Sequence, residues 1–294
     1  MDVVITYVDG LDPQWRQDYA ATVGMETMMA KRFRDWGTLP YLLRGVERCI
    51  PDLGEVYLVV ASESQVPSWA DTSRLHIVLH RDIIPERFLP LFNSSSIEMF
   101  LQRIPDLSER YLYLNDDFYP LLPFSLEEFY PGGKAAIYMK KQALVLGNEF
   151  RYLVRHSDRL ARRAAGLGPS PLYIRPQHTA APMLRSAALR MYTLCEDEIL
   201  ASITKIRCKV NYNQYIFSDY MYYSGLTAQQ RISNKHFSLS VAGIDKITSF
   251  LDNPGTKMVC INDVNIGEET FRSYRTRLLD AFARRFPQKS RFEI

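Results

Sequence analysis

The sequence has few cysteines, and none of them is spaced for a metal site or a disulfide framework. Four occur among 294 residues, Cys49, Cys195, Cys208 and Cys260, and no two form a Cys-x-x-Cys pair. A zinc site or a disulfide-rich fold is therefore not indicated. Scattered cysteines in a chain of this length are typical of a reducing compartment, so we expect a cytoplasmic protein.

Long apolar runs are missing as well. No stretch reaches the roughly 18 apolar residues of a membrane-spanning helix. The opening residues, MDVVITYVDG, contain an aspartate at once and lack a basic segment, so we expect no signal peptide. The basic stretch at 272–286 is amphipathic. We expect it to be mainly structural, with at most a weak peripheral contact at the inner face of a membrane.

A strong excess of charge is absent too. Lysine and arginine total 36 and the acidic residues 33, which gives a formal net charge of +3. Nucleic-acid-binding proteins usually have a much larger basic excess, so we expect no nucleic-acid partner. Hydrophobic residues make up 47% and charged residues 23%, which is the composition of an ordinary globular protein.

The first part of the chain alternates short apolar strands with amphipathic helices. Strands are predicted at 3–8, 55–61, 75–80 and 111–114, and helices at 39–50 and 95–104. Nearly continuous apolar strands separated by helices are typical of a parallel sheet covered on both faces. We therefore predict an α/β fold with a mostly parallel sheet.

The middle of the chain is less regular. Helices are predicted at 151–167 and 185–206, with a Gly-Pro-Ser-Pro break between them. We expect a mainly helical lobe at about 130–257, inserted before a last strand at 258–263. Residues 1–294 would then form a single catalytic domain that includes this lobe.

Three of the predicted strands end in carboxylates. Asp9 and Asp12 follow the first strand, Asp116 and Asp117 follow the strand at 111–114, and Asp263 ends the last one. Ligands bind beyond the carboxyl ends of parallel strands, so these groups are expected to converge on one crevice. Hard oxygen ligands of this kind suit magnesium or manganese. The alternative is a set of solvated turns, because Asn-Asp, Asp-Gly and Asp-Pro pairs all favour turns.

Small polar residues indicate where a phosphate could bind. Asn93 and Ser94 precede a predicted helix, where free backbone N–H groups and hydroxyls attract phosphate. Gly10 would let the backbone approach a phosphate closely. The alternative for the helix start is an ordinary cap on Ser94 or Ser95, with Glu98 completing a capping box.

A loop histidine and a row of arginines complete the candidates. His178 lies in a polar, proline-bounded loop, YIRPQHTAAP at 173–182, where acid–base residues are often found. A lone loop histidine is more often incidental. The arginines recur at helical spacing and form either a solvated surface or a binding face for an anionic acceptor. They are Arg151, Arg155, Arg159, Arg162 and Arg163.

Four sequence blocks, in order, resemble those of the Stealth family of hexose-1-phosphate transferases. The first is DVVITYVDGLDPQW at 2–15. The second begins with RFRDWGTLPYLLRGVERCIPDLGEVYLVV at 32–60 and continues through LPLFNSSSIE and YLYLNDDFYP. RPQHTAAPMLR at 175–185 and KIRCKVNYNQ at 205–214 resemble the third, and KMVCINDV at 257–264 with FPQKSRFE at 286–293 the fourth. The family includes bacterial capsule polymerases and the animal lysosomal-enzyme N-acetylglucosamine phosphotransferase.

The resemblance implies a Rossmann-like fold of the nucleotide-sugar transferase type, and a specific reaction. A sugar-1-phosphate, expected to be N-acetylhexosamine-1-phosphate, would move from a UDP-sugar to a glycan hydroxyl in capsule or surface polysaccharide synthesis, with release of UMP. Mg²⁺ or Mn²⁺ would be held by Asp116, Asp117 and Asp263. Arg207, with Arg34 as a second candidate, would bind phosphoryl oxygens, and His178 would be the general base. The remaining implied residues would shape the donor pocket: Asp9, Gly10, Asp12, Arg34, Asp35, Asn93, Ser94 and Glu98.

Two further functions stay open on the sequence alone. A metal-dependent glycosyltransferase would use the same kind of site but release UDP, and a non-catalytic carbohydrate- or nucleotide-binding module would need no base. The sequence also departs from the family blocks. Trp36 and Pro40 stand where the family usually has polar residues, and Asp263 is followed by Val264 rather than by a second acidic residue.

Overall fold

The computed structural model describes residues 1–24, 33–143, 149–262 and 266–294. The strands are β1 (Asp2–Thr6), β2 (Val56–Val60), β3 (His76–Leu79), β4 (Arg110–Asn115), β5 (Phe118–Pro120), β6 (Ala135–Ala136), β7 (Met139–Gln142), β8 (Tyr173–Pro176), β9 (Ala181–Leu184), β10 (Thr227–Ala228), β11 (Asn234–Ser238) and β12 (Met258–Asn262).

The α-helices are α1 (Pro13–Val23), α2 (Leu39–Cys49), α3 (His80–Ile83), α4 (Ser94–Ile97), α5 (Leu126–Phe129), α6 (Glu149–Ala164), α7 (Arg185–Leu194), α8 (Glu196–Ala201), α9 (Tyr215–Tyr223), α10 (Leu239–Ala242), α11 (Ile244–Asp252) and α12 (Glu268–Arg285). Short 3₁₀ helices lie at Glu63–Gln65, Glu86–Phe88, Glu98–Arg103 and Pro131–Gly133.

A five-stranded sheet has the strand order β3-β2-β1-β4-β9 and is mainly parallel, which confirms the predicted α/β fold. Its edge strand β9 runs antiparallel to β4, with Tyr111 opposite Met183 and Tyr113 opposite Ala181. All five residues of β2 are buried, so neither face of this strand is polar. This double burial is why the sequence shows continuous apolar runs rather than an alternating pattern.

The last predicted strand belongs to a different sheet. Strand β12 pairs in parallel with β11 and antiparallel with β5, in the order β11-β12-β5. Its apolar run alone does not specify which sheet it joins, because a buried strand reads alike in either. Two small pairs, β10-β6 and β7-β8, complete the strands that the structure describes.

The chain divides into two compact units. Unit 1 consists of residues 1–4, 78–113 and 126–232, and unit 2 of residues 5–77, 114–125 and 233–294. The predicted helix at 185–206 is observed as α7 and α8, which are separated at Cys195. The single catalytic domain and the inserted lobe at 130–257 remain predictions.

The C-terminal helix α12 packs into the core of unit 2. Its Leu278 is 2% exposed and its Phe282 is fully buried. The Phe282 ring lies 4.5 Å from that of Tyr119 and 5.6 Å from that of Tyr41. The helix is therefore part of the fold, as its sequence led us to expect. Within the described ranges, no helix has both the length and the apolar character needed to cross a bilayer.

Candidate active site

The two adjacent carboxylates form the turn between β4 and β5. Asp116 and Asp117 are each half-buried, but Oδ1 of Asp117 is buried and has no hydrogen-bond partner among the residues that the structure describes. The turn lies beside the end of β12, because the Ile261 N–H donates to the Asp117 carbonyl oxygen at 2.9 Å. The structure thus brings the ends of β4 and β12 together within unit 2, as predicted.

Several acidic groups of unit 2 perturb one another around this turn. Burial, followed by the charges of Asp117 and Asp35, raises the pKa of Asp116 to about 7. Burial also raises the pKa of Asp117 to about 6. The Tyr7 hydroxyl bonds to Asp35, and burial together with the charges of Asp35, Asp9 and Asp116 raises the pKa of Tyr7. The region therefore brings together carboxyl groups whose charges disfavour one another's ionised forms.

Asp35 is the acidic member that sequence spacing did not connect with the strand ends. Its Oδ1 accepts the Gly37 N–H at 2.9 Å. Burial raises its pKa, and the backbone bond from Gly37, the Arg275 charge and the Tyr7 hydroxyl oppose that rise. Arg275 belongs to α12 and lies close to Gly37, where a side chain's Cβ would approach its Nη2 to 2.8 Å. It is a cation near the acidic groups that sequence reasoning missed, since nothing marks it within a basic helix.

The loop after β1 has structural as well as electrostatic roles. Oδ1 of Asp9 accepts the Leu11 N–H at 2.8 Å, and Oδ1 of Asp12 caps α1 by accepting the Trp15 N–H at 2.6 Å. Gly10 has no room for a side chain, since a Cβ there would lie 2.2 Å from the carbonyl oxygen of Phe33. Asp9 therefore stabilises the turn and Asp12 caps the helix. The charge of Asp9 also raises the pKa of Tyr7.

Arg34 is directed at the start of α12. Its Nη2 donates to the Ile266 carbonyl oxygen at 3.3 Å and lies 3.7 Å from a carboxylate oxygen of Glu268. The guanidinium also lies 4.6 Å from the centre of the Phe271 ring. Its Nη1 is buried without a hydrogen-bond partner among the described residues. The guanidinium is therefore held by structural contacts, and Nη1 is the nitrogen left for an anion.

Unit 1 holds a second polar cluster. Asn93 caps α4 by accepting the Ser95 N–H at 3.1 Å, and its amide donates to Oδ1 of Asn211 at 3.0 Å. Nη2 of Arg207 donates to Oγ of Ser94 at 2.6 Å. The predicted cap on Ser94 or Ser95 is wrong, because the Asn93 side chain takes that role while it is also held by distant partners.

Glu98 is the carboxyl group of this cluster. It is 7% exposed, and its Oε2 accepts the Gln214 N–H at 2.9 Å, so it does not complete a capping box. The Tyr113 hydroxyl lies 3.4 Å from its Oε1. Burial raises the pKa of Glu98, whereas the Gln214 N–H and the Arg207 charge lower it. Nε of Arg207 is buried and lacks a partner within the described part of the chain. One guanidinium nitrogen is thus left for an anion.

His178 follows β8 in a loop that is held at several points. Its Nδ1 lies 3.5 Å from the Tyr215 hydroxyl. The neighbouring Gln177 N–H donates to the Tyr138 carbonyl oxygen at 2.9 Å, and the Ile174 N–H donates to Oδ1 of the buried Asp158 at 3.0 Å. These contacts anchor the segment that carries the imidazole within unit 1.

The row of arginines on α6 is partly occupied. Nε of Arg162 donates to the Gly168 carbonyl oxygen, and Arg163 pairs with Glu198. Arg151 and Arg159 are exposed. Most of these arginines are therefore exposed to solvent or bonded to neighbouring residues.

The structure places the predicted residues in two sets. Unit 2 contains Asp9, Gly10, Asp12, Arg34, Asp35, Asp116 and Asp117, whereas unit 1 contains Asn93, Ser94, Glu98, His178 and Arg207. The predicted metal ligand Asp263 lies outside the described residues. Cys260, whose Sγ lies 3.3 Å from Oδ2 of Asp117, was not predicted, because a cysteine in an apolar strand is read as core.

Known proteins resemble this chain over its whole length. A family model described as Stealth protein CR2, conserved region 2, matches residues 32–137. The exopolysaccharide phosphotransferase cps2G of Lactiplantibacillus plantarum is 30% identical over 328 residues, which cover 100% of this chain and 96% of that protein. The capsular polysaccharide phosphotransferase WcwK of Streptococcus pneumoniae is 29% identical over 338 residues, covering 100% of this chain and 99% of its own.

Solved structures are more distant. The glycosyltransferase GlyE of Streptococcus pneumoniae TIGR4 is 13% identical, with a TM-score of 0.42, and the match covers 100% of this chain and 66% of that one. A likeness at this level supports no argument about function. The full-length sequence identity does support one, and the chain is accordingly an enzyme, a phosphotransferase that belongs to the Stealth family.

Proposed function

We propose that the enzyme transfers a hexose-1-phosphate, most simply N-acetylhexosamine-1-phosphate, from a UDP-sugar to a glycan hydroxyl. The reaction forms a phosphodiester and releases UMP. The observation that carries this proposal is the acidic region around Asp116 and Asp117, in which Oδ1 of Asp117 is buried without a partner among the described residues. Such a group is costly unless a cation compensates it, and a diphosphate donor needs the same cation.

The donor set fits a hard divalent cation. Asp116 and Asp117 offer carboxylate oxygens. Burial raises the pKa of both groups, and the charges of Asp117 and Asp35 add to the rise at Asp116. We assign Asp116 and Asp117, with Asp263, as ligands for Mg²⁺ or Mn²⁺. When bound, this ion would neutralise charge on the diphosphate and stabilise the departing UMP. Asp9 and Asp35 keep the surroundings negative, so an unmetallated site would repel the donor.

The phosphoryl group requires cationic donors of its own. Arg207 has one buried nitrogen without a partner among the described residues, and its position is set by Ser94 and by the charge of Glu98. A guanidinium fixed in this way can bind phosphoryl oxygens with little loss of conformational entropy. The Asn93 amide donates to Asn211 and so stabilises the polar cluster that contains Arg207. Arg34, whose Nη1 also lacks a partner among the described residues, is a second candidate for a phosphoryl oxygen, and the turn at Asp9, Gly10 and Asp12 forms a wall of the donor pocket.

His178 is assigned as the general base. If the proton on Nδ1 is donated to the oxygen of Tyr215, Nε2 carries the lone pair that abstracts a proton from the acceptor hydroxyl. The hydroxyl oxygen then attacks the β-phosphorus of the donor, the bond from this phosphorus to the bridging oxygen breaks, and UMP leaves with the electron pair.

The acceptor is proposed to be a glycan of a capsule or surface polysaccharide. We place the reaction in the cytoplasm, in keeping with four cysteines that form no disulfide with one another, with at most a weak peripheral contact at the membrane. The relatives are named for capsular or exopolysaccharide phosphotransfer, and this assignment follows their names.

Product identity tests the proposal directly. The enzyme is incubated with a panel of UDP-sugars, Mg²⁺ and candidate glycans, and the nucleotide product is identified by chromatography while ³¹P NMR detects a phosphodiester. We expect UMP together with a new phosphodiester signal. UDP with a glycosidic product would instead identify a metal-dependent glycosyltransferase. Asp117→Asn is the matched control, since it keeps the shape of the side chain and removes its charge.

A further inference from the structure

Cys260 makes an unusual contact for a core cysteine. It lies in the middle of β12 and is fully buried, and its Sγ lies 3.3 Å from Oδ2 of Asp117, so the thiol donates to the carboxylate. The next residue, Ile261, donates its N–H to the Asp117 carbonyl oxygen at 2.9 Å. In the β12-β5 ladder, Cys260 stands opposite Phe118. Two consecutive residues of β12 therefore form hydrogen bonds with Asp117, Cys260 with its side chain and Ile261 with its backbone.

The hydrogen bond from the thiol makes the two carboxylate oxygens of Asp117 different from each other. Oδ2 is engaged by Cys260, whereas Oδ1 is buried and has no partner in the described part of the chain. A carboxylate held by one oxygen has fewer orientations, so its other oxygen points in a constant direction. A thiol is a weak, neutral donor, so it can orient the group without neutralising its charge. A lysine or arginine in this place would compete with a cation.

A second buried cysteine of the same unit provides the contrast. Cys49, at the end of α2, is 3% exposed, and its thiol has no hydrogen-bond partner among the described residues. It behaves as a small apolar side chain of the core. Burial is thus common to both cysteines, and the bond to a carboxylate distinguishes Cys260.

We propose that Cys260 is a positioning residue for metal binding: its thiol holds Oδ2 of Asp117 so that Oδ1 is presented to the divalent cation. This inference rests on the proposed function, because it takes Asp117 as a metal ligand. Groups that orient a metal ligand typically change metal affinity by about 10- to 100-fold when they are removed.

The test compares three variants of the full-length enzyme. Cys260→Ala removes the donor, Cys260→Ser keeps a donor, and Cys49→Ala removes a buried thiol that contacts no carboxylate. Binding of Mn²⁺ to the protein alone is measured by EPR of the free ion, and kcat and the metal concentration for half-maximal rate are measured separately. We expect Cys260→Ala to weaken Mn²⁺ binding about 10-fold or more, with a smaller change in kcat at saturating metal. Cys260→Ser should recover most of the affinity, and Cys49→Ala should match the wild type.

The outcomes separate this inference from the proposed function. If the wild type binds Mn²⁺, Asp117→Asn does not, and Cys260→Ala binds within twofold of the wild type, Cys260 has no positioning role while the metal assignment stands. If Asp117→Asn binds Mn²⁺ as well as the wild type, the metal assignment fails and this inference fails with it. Should Cys260→Ala not fold, Cys260→Val fills the site without a donor and is expected to show the same loss of affinity.

Discussion

The carboxyl groups of Asp116 and Asp117 have other carboxyl groups as neighbours, whereas the carboxyl group of Glu98 has a guanidinium. In unit 2, Asp35 adds to the negative charge at Asp116. In unit 1, the charge of Arg207 and the Gln214 N–H favour the ionised form of Glu98. Glu98 is buried and the two aspartates are half-buried, and burial is the largest cause of the raised pKa of each group.

The difference indicates which cluster requires something from outside the chain. A buried carboxylate that faces a cation and a backbone donor is balanced within the protein. A pair of adjacent carboxylates whose buried oxygen lacks a partner among the described residues needs a proton or a metal ion at that oxygen. The cluster of unit 1 can therefore be complete before substrate arrives, and that of unit 2 cannot.

The largest loss of turnover is expected from a change in the aspartate cluster of unit 2. Asp117→Asn should reduce turnover to the background rate, and EDTA should do the same to the wild type until Mg²⁺ or Mn²⁺ is added. The reason is that the amide keeps the shape but lacks the charge that a hard cation requires. UMP release measures the activity, and circular dichroism checks the fold. Full activity of the variant in chelated buffer would contradict the assignment.

His178 belongs neither to the aspartate cluster of unit 2 nor to the Glu98 cluster of unit 1. Its loss should therefore change kcat without changing donor affinity. His178→Ala should lower kcat by about 10²- to 10⁴-fold, as expected for a lost acid–base group, with donor and Mg²⁺ affinity nearly unchanged. Rates and calorimetric donor binding are compared with the wild type, and Tyr215→Phe serves as a milder variant of the same contact. Loss of UDP-sugar binding with little change in kcat would make His178 a donor-site residue instead.

Removing Arg207 from the Glu98 cluster should lower both the affinity for the donor and the stability of the protein. Arg207→Ala leaves Glu98 without its cation, and an unpaired buried group costs about 1–3 kcal/mol in the free energy of unfolding. Donor affinity and kcat should both fall, because the guanidinium contacts phosphate in the ground state and more strongly in the transition state.

A double variant isolates the two roles of Arg207. Adding Glu98→Gln removes the buried charge and should restore part of the unfolding free energy, measured by denaturant titration, without restoring donor affinity. Equal stability of Arg207→Ala and the wild type would show that Glu98 is compensated by its other donors alone.

The smallest effect is a pH dependence of metal stabilisation. The folded-state pKa values of Asp116 and Asp117, about 7 and about 6, lie above the ordinary aspartate value of 3.8. The metal-free folded protein therefore holds protons that the unfolded chain releases, and these two groups favour folding below about pH 4 and lose that contribution as pH rises through 7. Burial raises the pKa of Asp35 as well, and its charge adds to the rise at Asp116, so Asp35 acts in the same direction.

A divalent cation binds the ionised carboxylates, so Mg²⁺ should raise Tm more at pH 8 than at pH 5.5. Thermal unfolding at both pH values, in EDTA and in Mg²⁺, measures the difference, and Asp116→Asn should reduce it. Equal increments at the two pH values would mean that these carboxylates do not titrate with metal binding.

Local sequence was sufficient for most secondary structure. The apolar spacing of LPYLLRGVERC predicts a helix at 39–50, and α2 is observed at Leu39–Cys49. The run VYLVV predicts β2, and the Asp116-Asp117 turn follows β4 as expected. Helical and strand periods arise from backbone geometry over a few residues, which is why they can be read without the fold. Apolar runs on several strands also predicted the mainly parallel sheet.

The sequence by itself thus determined the elements, the turn chemistry and the acidic strand ends. The tertiary structure decided which partners those groups have. Glu98 bonds to Gln214, and Asp117 bonds to Cys260, across 116 and 143 residues respectively. Asn93 rather than a serine caps α4, because its amide also reaches Asn211. Contacts between distant segments depend on how whole elements pack, and neither periodicity nor turn preference encodes that packing within a short window of sequence.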